Sequence, residues 1–386
     1  MNIAFFHFNG IMPTAGGISR ITVNLTSLFR INGIKVFYIG ARKTKEFDYD
    51  SAQIFLPNTD LMSSENIEFI SNFIKDHSIT TVINQGALSP LSHIFLAKVK
   101  QKTGIKIISC IHNPILTPIK NYPYQKEYLL RKKHLVGVFH LLKTPVMRYI
   151  LGTLYCRKHR SLYKLMYNES DFIIGLSNGM KDDFAKITKI ENLSKFVVIP
   201  NFIDTTVSQS ECKEKTVLWV GTINIPVKRT DFMLKAWKKL CNQYPEWTLK
   251  ILGNGPDYKE AVKLSEKYKL SNCTFVGRVN PDEYYNSASI LCVTSSYEGF
   301  SLVLLEALKY GVTPLAVNSF STANEILGDG EFGVLSSPFD IDDFCEKLQS
   351  LMDDDEIRRN YSNKSKKAIE RYSSRSVFSK WEKILS

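Results

Sequence analysis

Short runs of apolar residues alternate along this chain with longer segments in which apolar residues recur every three or four positions. Runs of the first kind are typical of strands buried in a parallel sheet, and the longer spacing is typical of helices that bury one face. In the first half, the runs predict strands at Ile3–Phe8, Lys35–Ile39, Thr80–Asn84, Lys106–Ile111, Phe172–Leu176 and Phe196–Ile199. The helical spacing predicts helices at Ile18–Ile31, Ser63–His77, Pro90–Thr103 and Gly179–Ile187.

The pattern starts again after Pro200. Residues 204–215 are polar and lack a period, so they are predicted to link two domains. Further strands are predicted at Thr216–Val220, Thr248–Leu252, Cys273–Val276, Ile290–Val293 and Thr313–Ala316. Further helices are predicted at Asp231–Gln243, Asp257–Tyr268, Leu302–Tyr310 and Asp340–Met352. Such alternation predicts an α/β fold with two parallel sheets, and ligands in such folds bind at the carboxyl ends of the strands, here in a cleft between the two halves.

The composition is that of an ordinary globular protein, since 44% of the 386 residues are hydrophobic and 23% are charged. The seven cysteines form no CxxC pair, which favours a reduced, cytoplasmic location and argues against a zinc site. The first residues lack the basic segment of a secretory signal. No apolar run reaches the roughly 20 residues that a membrane-spanning helix needs.

Positive charge is concentrated in residues 120–164. The whole chain has a net charge of +12, and this segment alone holds eleven basic residues against one acidic residue, Glu127. Apolar residues lie between the basic ones, a pattern typical of helices that rest on an anionic membrane surface. The alternative is a solvated helical hairpin whose apolar face packs on its own domain. A nucleic-acid partner is not expected, because no recognised binding module accompanies the patch.

The strongest chemical signal is the segment 297–308, YEGFSLVLLEAL, which follows a predicted strand and opens a predicted helix. Gly299 lets a ligand approach the backbone closely. The N–H groups at the helix start can receive a phosphate, helped by the helix dipole. These groups belong to Phe300, Ser301 and Leu302. Glu298 and Glu306 lie on either side of this point, where both can accept hydrogen bonds from sugar hydroxyls.

The two glutamates separated by seven residues resemble the E-x7-E signature of the retaining glycosyltransferases of family 4, which have the GT-B fold. Further segments are similar to motifs of that family in the same order. They are Gly16–Arg20, Ile199–Asp204 with Phe202 where the family usually has Gly, Val220–Arg229, Gly253–Pro256 and Phe275–Gly277. The resemblance covers essentially the whole chain.

The family's architecture implies two Rossmann-like domains that face each other across a cleft. Residues 1–203, with the basic membrane-surface segment 120–164, would bind the acceptor. Residues 204–370 would bind a nucleotide-sugar donor. A C-terminal helix, 371–386, would cross back to the N-terminal domain.

The resemblance also implies roles for individual residues. Glu298, Lys228 and His112 form the expected catalytic set: Glu298 would contact the transferred sugar, Lys228 would neutralise the diphosphate and His112 would lie near the sugar's primary hydroxyl. The expected donor-binding set is Gly16, Gly17, Lys228, Arg229, Gly253, Arg278, Glu298, Gly299, Phe300, Ser301, Leu302 and Glu306. Many relatives carry Arg directly after the glycine placed at Gly221, whereas this chain has Thr222, so Lys228 or Arg229 must hold the diphosphate. A structural role remains the alternative for Arg229, as it does for His112. Weaker candidates at strand ends are His7, Asn84 and Ser177.

The expected reaction is transfer of a hexose-type sugar from a nucleotide-diphosphate sugar, UDP by family frequency, to a hydroxyl, with retention at the anomeric carbon. No cofactor or metal is expected. The acceptor is expected to be a lipid-linked or membrane-associated glycan in lipopolysaccharide, O-antigen or capsule assembly, and the enzyme peripheral on the inner face of the cytoplasmic membrane. A non-catalytic nucleotide- or sugar-binding partner on the same fold is the alternative. An NAD oxidoreductase is excluded, because Gly10 and Gly16-Gly17 do not give the G-x-G-x-x-G fingerprint.

Overall fold

A computed structural model describes residues 1–12, 17–43, 53–205, 212–270 and 272–386. The strands are β1 (Asn2–His7), β2 (Lys35–Gly40), β3 (Gln53–Phe55), β4 (Ile79–Asn84), β5 (Lys106–Cys110), β6 (Phe172–Gly175), β7 (Phe196–Val198), β8 (Glu214–Val220), β9 (Thr248–Leu252), β10 (Cys273–Gly277), β11 (Ala288–Val293), β12 (Thr313–Val317) and β13 (Val334–Ser336). The α-helices are α1 (Gly17–Ile31), α2 (Ser64–Asp76), α3 (Pro90–Thr103), α4 (Thr117–Lys120), α5 (Tyr122–Lys132), α6 (Val136–Lys143), α7 (Pro145–Glu169), α8 (Asn178–Thr188), α9 (Ile225–Lys228), α10 (Thr230–Leu240), α11 (Tyr258–Tyr268), α12 (Asp282–Ser287), α13 (Leu302–Lys309), α14 (Ser321–Ile326), α15 (Ile341–Asp353), α16 (Asp355–Glu370) and α17 (Ser374–Leu385).

The described residues divide into two compact units, each built on one sheet. Unit 1 comprises residues 1–113, 155–201 and 377–386, and unit 2 comprises residues 114–154 and 202–376. The seven-stranded sheet of unit 1 has the order β3-β2-β1-β4-β5-β6-β7. The six-stranded sheet of unit 2 has the order β10-β9-β8-β11-β12-β13. Because all the paired strands are parallel, the predicted α/β class with two Rossmann-like sheets is confirmed.

The apolar runs are buried because helices cover both faces of a parallel sheet. In β1, which pairs with β2 and β4, residues 3–6 are completely buried. The strands that the pattern missed are β3 and β13, each three residues long and each at a sheet edge. Strands this short carry too few residues to show a period, and β8 also begins at Glu214, inside the predicted linker. Residues 206–211 of that linker lie outside the described part.

The C-terminal helix α17 packs on unit 1, as predicted. The Trp381 ring meets the Phe29 ring edge-on with the centroids 5.4 Å apart, and Phe378 lies 6.4 Å from the same ring. Lys106 Nζ donates to the carbonyl oxygen of Ile384 at 2.9 Å. The face that this helix buries consists of Val377, Trp381, Ile384 and Leu385.

The basic segment differs from its prediction, because residues 114–154 belong to unit 2 rather than to the N-terminal domain. Asn121 Nδ2 donates to the carbonyl oxygens of Ser296 at 2.6 Å and Ser319 at 2.7 Å. The Tyr124 ring stacks on Phe339 at 4.1 Å. These contacts join residues far apart in sequence, so the order of the chain could not reveal them.

Part of the apolar face of this segment stays in solvent. Phe139 is buried, but a row of large apolar side chains on α5 to α7 is exposed. They are Leu129, Leu135, Val138, Leu141, Val146, Tyr149, Ile150 and Leu154. The alternative in which the hairpin packs its apolar face on its own domain is thus met only in part. Among the described helices, none is both long and apolar enough to cross a bilayer.

Candidate active site

The loops that follow β8, β9 and β10 are joined by backbone hydrogen bonds at the carboxyl edge of the unit 2 sheet. Gly221 N donates to Leu252 O at 3.0 Å, and Gly253 N donates to Gly277 O at 2.7 Å. Gly253 has a φ of +134°, and a Cβ added there would lie 1.9 Å from Gly221 O. Only glycine fits this position, so the predicted donor-binding residue Gly253 is required to bring the two loops together.

Lys228 and Glu298 form an ion pair at this edge. Lys228 Nζ lies 3.0 Å from Glu298 Oε1, and the two side chains are 22% and 9% exposed. Ser295 Oγ donates to the same carboxylate oxygen at 2.7 Å. The structure therefore brings together two of the three residues of the expected catalytic set and holds both side chains in place.

A layer of buried hydrogen bonds fixes the backbone behind this pair. Thr294 Oγ1 donates to Lys228 O at 2.9 Å, and Trp219 Nε1 donates to Thr294 Oγ1 at 3.0 Å. Ser296 N donates to Val227 O at 2.6 Å. The loop after β11 is thus attached to the short helix α9, which carries Lys228 at its end.

The start of α13 presents hydrogen-bond donors that no described residue uses. The backbone N–H groups of Gly299, Phe300 and Ser301 make no hydrogen bond within the described residues. The Ser301 side chain is completely buried, and its hydroxyl also lacks a partner there. Free N–H groups at a helix N-terminus attract an anionic oxygen. A buried hydroxyl without a partner is costly unless a ligand satisfies it.

Glu306 is held by Tyr285, a residue that the sequence gave no reason to select. Tyr285 OH donates to Glu306 Oε2 at 3.0 Å. Burial of Tyr285, together with the neighbouring Glu306 carboxylate, keeps the pKa of the phenol well above its usual value. The phenol therefore stays protonated and orients the carboxylate.

Arg229, adjacent to Lys228, does not join this group. Its guanidinium is 2% exposed and pairs with Asp231 and with Glu127, each at 3.0 Å. Burial lowers the pKa of Arg229, but Asp231 and Glu127 outweigh that effect and raise it. The geometry gives Arg229 a structural ion-pair role, which leaves Lys228 as the cation beside Glu298 and does not compensate for Thr222.

Unit 1 has a separate cavity of about 260 Å³ at the carboxyl ends of β1, β4 and β5. It is lined by His7, Ile18, Gln85, Gly86, Ala87, Leu88, Ser89, Cys110, His112 and Asn113. His112 Nε2 contacts Gln85 Oε1, and His7 Nδ1 lies 3.0 Å from Gly10 O. The third residue of the expected catalytic set, His112, is therefore found in this cavity together with the weaker candidate His7.

The imidazoles of this cavity are neutral at neutral pH. Burial, reinforced by the nearby His7, lowers the pKa of His112 to about 4, and burial also lowers the pKa of His7. Gln85 is 2% exposed, and its Nε2 has no partner among the described residues. Sequence analysis missed Gln85, although it directly follows a predicted strand, which is the signal that selected Asn84.

The other candidates are placed as follows. Gly16 lies outside the described residues, and Gly17 begins α1. Arg278 follows β10 and is exposed. Asn84 is buried and donates to Ser92 Oγ at 3.0 Å, and Ser177 caps α8 by accepting from Met180 N at 3.1 Å. Asn84 and Ser177 thus have structural partners of their own.

Within the described ranges, no cluster of three or more His, Cys, Asp or Glu side chains could hold a metal ion. Metal independence stays a prediction, to be tested in solution.

The model for "Glycosyltransferase Family 4" matches residues 15–207, and the model for "Glycosyl transferases group 1" matches residues 203–368. A relative from Campylobacter jejuni, named N-acetylgalactosamine-N,N'-diacetylbacillosaminyl-diphospho-undecaprenol 4-alpha-N-acetylgalactosaminyltransferase, is 26% identical over 230 residues. That match covers 58% of this chain and 62% of the relative. The first curated relatives are therefore each spanned over less than two thirds of their length.

Solved structures show the same fold. The apo form of the lipopolysaccharide outer core galactosyltransferase WaaB is 18% identical, with a TM-score of 0.71 over 100% of this chain and 99% of that one. HepE from Anabaena in complex with UDP is 13% identical, with a TM-score of 0.75 over 100% of this chain and 99% of that one. At these identities the likeness establishes the GT-B fold.

Proposed function

This chain belongs to family 4 of the glycosyltransferases, and from that premise we propose that it transfers a hexose-type sugar from a nucleotide-diphosphate sugar to a glycan hydroxyl, with retention at the anomeric carbon. The donor would bind to unit 2. The proposal rests above all on one observation: the Lys228–Glu298 pair stands beside a helix start with unused N–H groups and the buried, unpartnered hydroxyl of Ser301. A cation and free N–H groups suit a diphosphate, and paired carboxylates suit sugar hydroxyls.

The role of each residue follows from where negative charge develops during sugar transfer. As the sugar leaves, negative charge grows on the nucleoside diphosphate. Lys228 and the N–H groups of Gly299, Phe300 and Ser301 stabilise that charge without a metal. Glu298 accepts hydrogen bonds from the transferred sugar. Glu306, oriented by Tyr285, accepts hydrogen bonds from the ribose.

We assign the nucleotide as UDP. Support comes from HepE, a structure of the same fold whose complex contains UDP. Retention is supported by the E-x7-E spacing that Glu298 and Glu306 preserve.

For the acceptor, the proposal is a lipid-linked or membrane-associated glycan of cell-surface polysaccharide synthesis. The name of the Campylobacter relative includes a diphospho-undecaprenol, and that of WaaB a lipopolysaccharide outer core. The segment 120–164 combines a net charge of +10 with exposed apolar side chains on α5 to α7. Such a surface binds anionic head groups while its apolar residues enter the interface, which would keep the enzyme peripheral on the cytoplasmic membrane.

A thermal-shift panel with UDP, GDP, ADP and CMP in EDTA tests the donor site. A nucleotide at 100 times its Kd adds about 2.7 kcal/mol to the free energy of unfolding. We expect UDP to raise the Tm, and Glu306→Ala to abolish the rise while leaving the ligand-free Tm close to wild type. No shift with any nucleotide, with or without EDTA, would refute the donor site, and a shift that is seen only without EDTA would refute metal independence. Binding of UDP without turnover of any UDP-sugar would favour a non-catalytic binding partner instead.

A further inference from the structure

A second cavity lies in unit 2, and neither Lys228 nor Glu298 lines it. It has a volume of about 650 Å³ and is formed by α5, α6, α10 and α11 with the loop before α15. Its lining includes seven cations: Arg131, Lys132, Lys143, Arg229, Lys235, Lys263 and Lys267. Three acids, Glu127, Asp231 and Glu260, also line it. The cavity therefore has a clear excess of positive charge, and neither Glu298 nor Glu306 contributes to it.

The acidic side chains of the lining already form ion pairs with particular cations of the same cavity. Glu127 pairs with Arg131 at 2.9 Å and with Arg229 at 3.0 Å, while Glu260 pairs with Lys132 at 2.6 Å. Burial raises the pKa of Glu127, but the two arginines outweigh it and lower that pKa, so the carboxylate stays charged. Four lysines of the lining then form no salt bridge within the described part of the chain. They are Lys143, Lys235, Lys263 and Lys267.

Arg229 supplies a further unsatisfied donor. The residue is 2% exposed, yet its Nη1 has no hydrogen-bond partner among the residues described. A buried guanidinium that leaves a donor unused is costly, because the nitrogen has lost its hydration without replacement. An anion in the cavity would lower that cost.

Aromatic rings form the rest of the wall. Tyr124 stacks on Phe339 with centroids 4.1 Å apart, and Lys143 Nζ lies 5.3 Å from the Tyr124 centroid and 5.2 Å from that of Phe139. A single phosphate is much smaller than 650 Å³. The size and the rings fit a phosphate ester that also carries a ring or an apolar chain.

We propose that this cavity is a second anion site of the enzyme, which binds a phosphate ester between Lys143 on α6 and Lys235 on α10 with its organic part on Tyr124 and Phe339. The phosphate comes either from a lipid phosphate head group or from a phosphorylated metabolite in solution. The site is independent of the donor site, because the two share none of their ligand-binding side chains.

Inorganic pyrophosphate is the first probe, measured by calorimetry in EDTA against three variants. Lys143→Gln with Lys235→Gln removes cations from two different helices that line the cavity, and both side chains are exposed, so the fold should survive. Lys228→Gln removes the donor-site cation. Lys364→Gln with Lys366→Gln removes two unpaired lysines elsewhere in unit 2 and matches the change in charge.

We expect the cavity variant to weaken one class of pyrophosphate site about tenfold, as lost charge-assisted hydrogen bonds would. That site should persist in Lys228→Gln and in the matched control. UDP binding should be unchanged in the cavity variant. Loss of all pyrophosphate binding in Lys228→Gln alone would overturn the proposal without affecting the donor site, and absence of UDP binding would refute the donor site without affecting this one.

Vesicles distinguish the two sources of the phosphate. Phosphatidylcholine vesicles carry either about 10 mole per cent undecaprenyl phosphate or enough phosphatidylglycerol to match its charge. Stronger co-sedimentation with undecaprenyl phosphate, abolished in the cavity variant, assigns the site to a lipid phosphate. Equal co-sedimentation, with the pyrophosphate result intact, assigns it to a phosphate ester in solution.

Discussion

The candidate donor site in unit 2 contains an ion pair, whereas the cavity in unit 1 contains neutral imidazoles. In unit 2, Lys228 and Glu298 form an ion pair beside N–H groups that no described residue uses. In unit 1, burial lowers the pKa of His112 to about 4, so its cavity offers neutral imidazole and amide groups. Charged groups and free N–H donors suit a diphosphate, whereas neutral donors and acceptors suit sugar hydroxyls. The contrast supports the proposal that unit 2 binds the diphosphate of the donor and that unit 1 contacts sugar hydroxyls.

Replacing Lys228, the cation of the candidate donor site, tests this contrast most directly. Lys228→Gln should lower kcat/KM about 100- to 1,000-fold, because Lys228 is the cation that the proposed site provides for the leaving diphosphate. Steady-state kinetics with a UDP-sugar measures this. Lys364→Gln is the control and should keep wild-type kinetics. A loss below about tenfold, well short of what a transition-state contact supplies, would show that Arg229 does compensate.

The next largest effect is expected from a substitution at Gly253, where the backbone geometry requires glycine. Gly253→Ala places a Cβ 1.9 Å from Gly221 O at a φ of +134°, so the loops after β8 and β9 must separate. We expect the free energy of unfolding to fall by about 3 kcal/mol, with loss of UDP binding. Gly277→Ala is the matched control: its φ is +85°, but no atom lies within 4 Å of the added Cβ. Denaturant titration should show that Gly277→Ala lowers the free energy of unfolding by only about 1 kcal/mol. Equal losses in both variants would refute the close approach.

Acid should destabilise the neutral pocket of unit 1. The unfolded His112 takes up a proton as the pH falls through about 6.5, whereas the folded imidazole, with its pKa of about 4, does not. Its contribution to stability is therefore lost as the pH falls from 6.5 towards 4. Between pH 7 and pH 5, wild type should lose about 2 kcal/mol more than His112→Asn in urea unfolding. Parallel losses in the two proteins would show that His112 is already protonated at pH 5 when folded.

The smallest expected effect concerns Gln85, whose Nε2 is free to donate within the unit 1 cavity. Gln85→Leu should raise the KM of a sugar substrate about fivefold through one lost hydrogen bond. The acidic limb of the pH–rate profile should also shift, because His112 loses its partner on Nε2. Asn84→Leu would unfold part of β4 and is not a suitable control, so Ser89→Ala at the cavity rim serves. An unchanged pH profile in Gln85→Leu would show that Gln85 only packs in the cavity and does not influence His112.

Sequence patterns predicted the fold well because burial in a parallel sheet leaves a clear mark. Runs such as residues 3–6 are apolar throughout, and helices such as α15 repeat every three or four residues. The E-x7-E segment could also be read directly, since a strand, a glycine and a helix start are local features. β3 and β13 were missed because three residues show no period.

Partners distant in sequence could not be read in this way. Tyr285 holds Glu306 across 21 positions, and Gln85 contacts His112 across 27. Arg229 was expected to bind the diphosphate. Its guanidinium instead donates to the carboxylate of Glu127, which lies 102 positions away in the sequence. Residues 114–154, which include Glu127, belong to unit 2, against the prediction from chain order.

The sequence by itself predicted the two parallel sheets and many of the helices, because hydrophobic periodicity and turn chemistry are encoded by near neighbours. Its resemblance to the family selected Lys228, Glu298 and Glu306 as candidate site residues. Only the tertiary structure decided which of two adjacent cations faces Glu298, which residues keep the imidazoles of unit 1 neutral, and where the basic segment packs. The physical reason is that charge state and pairing depend on burial and on groups brought together from distant parts of the chain, and a linear pattern carries neither.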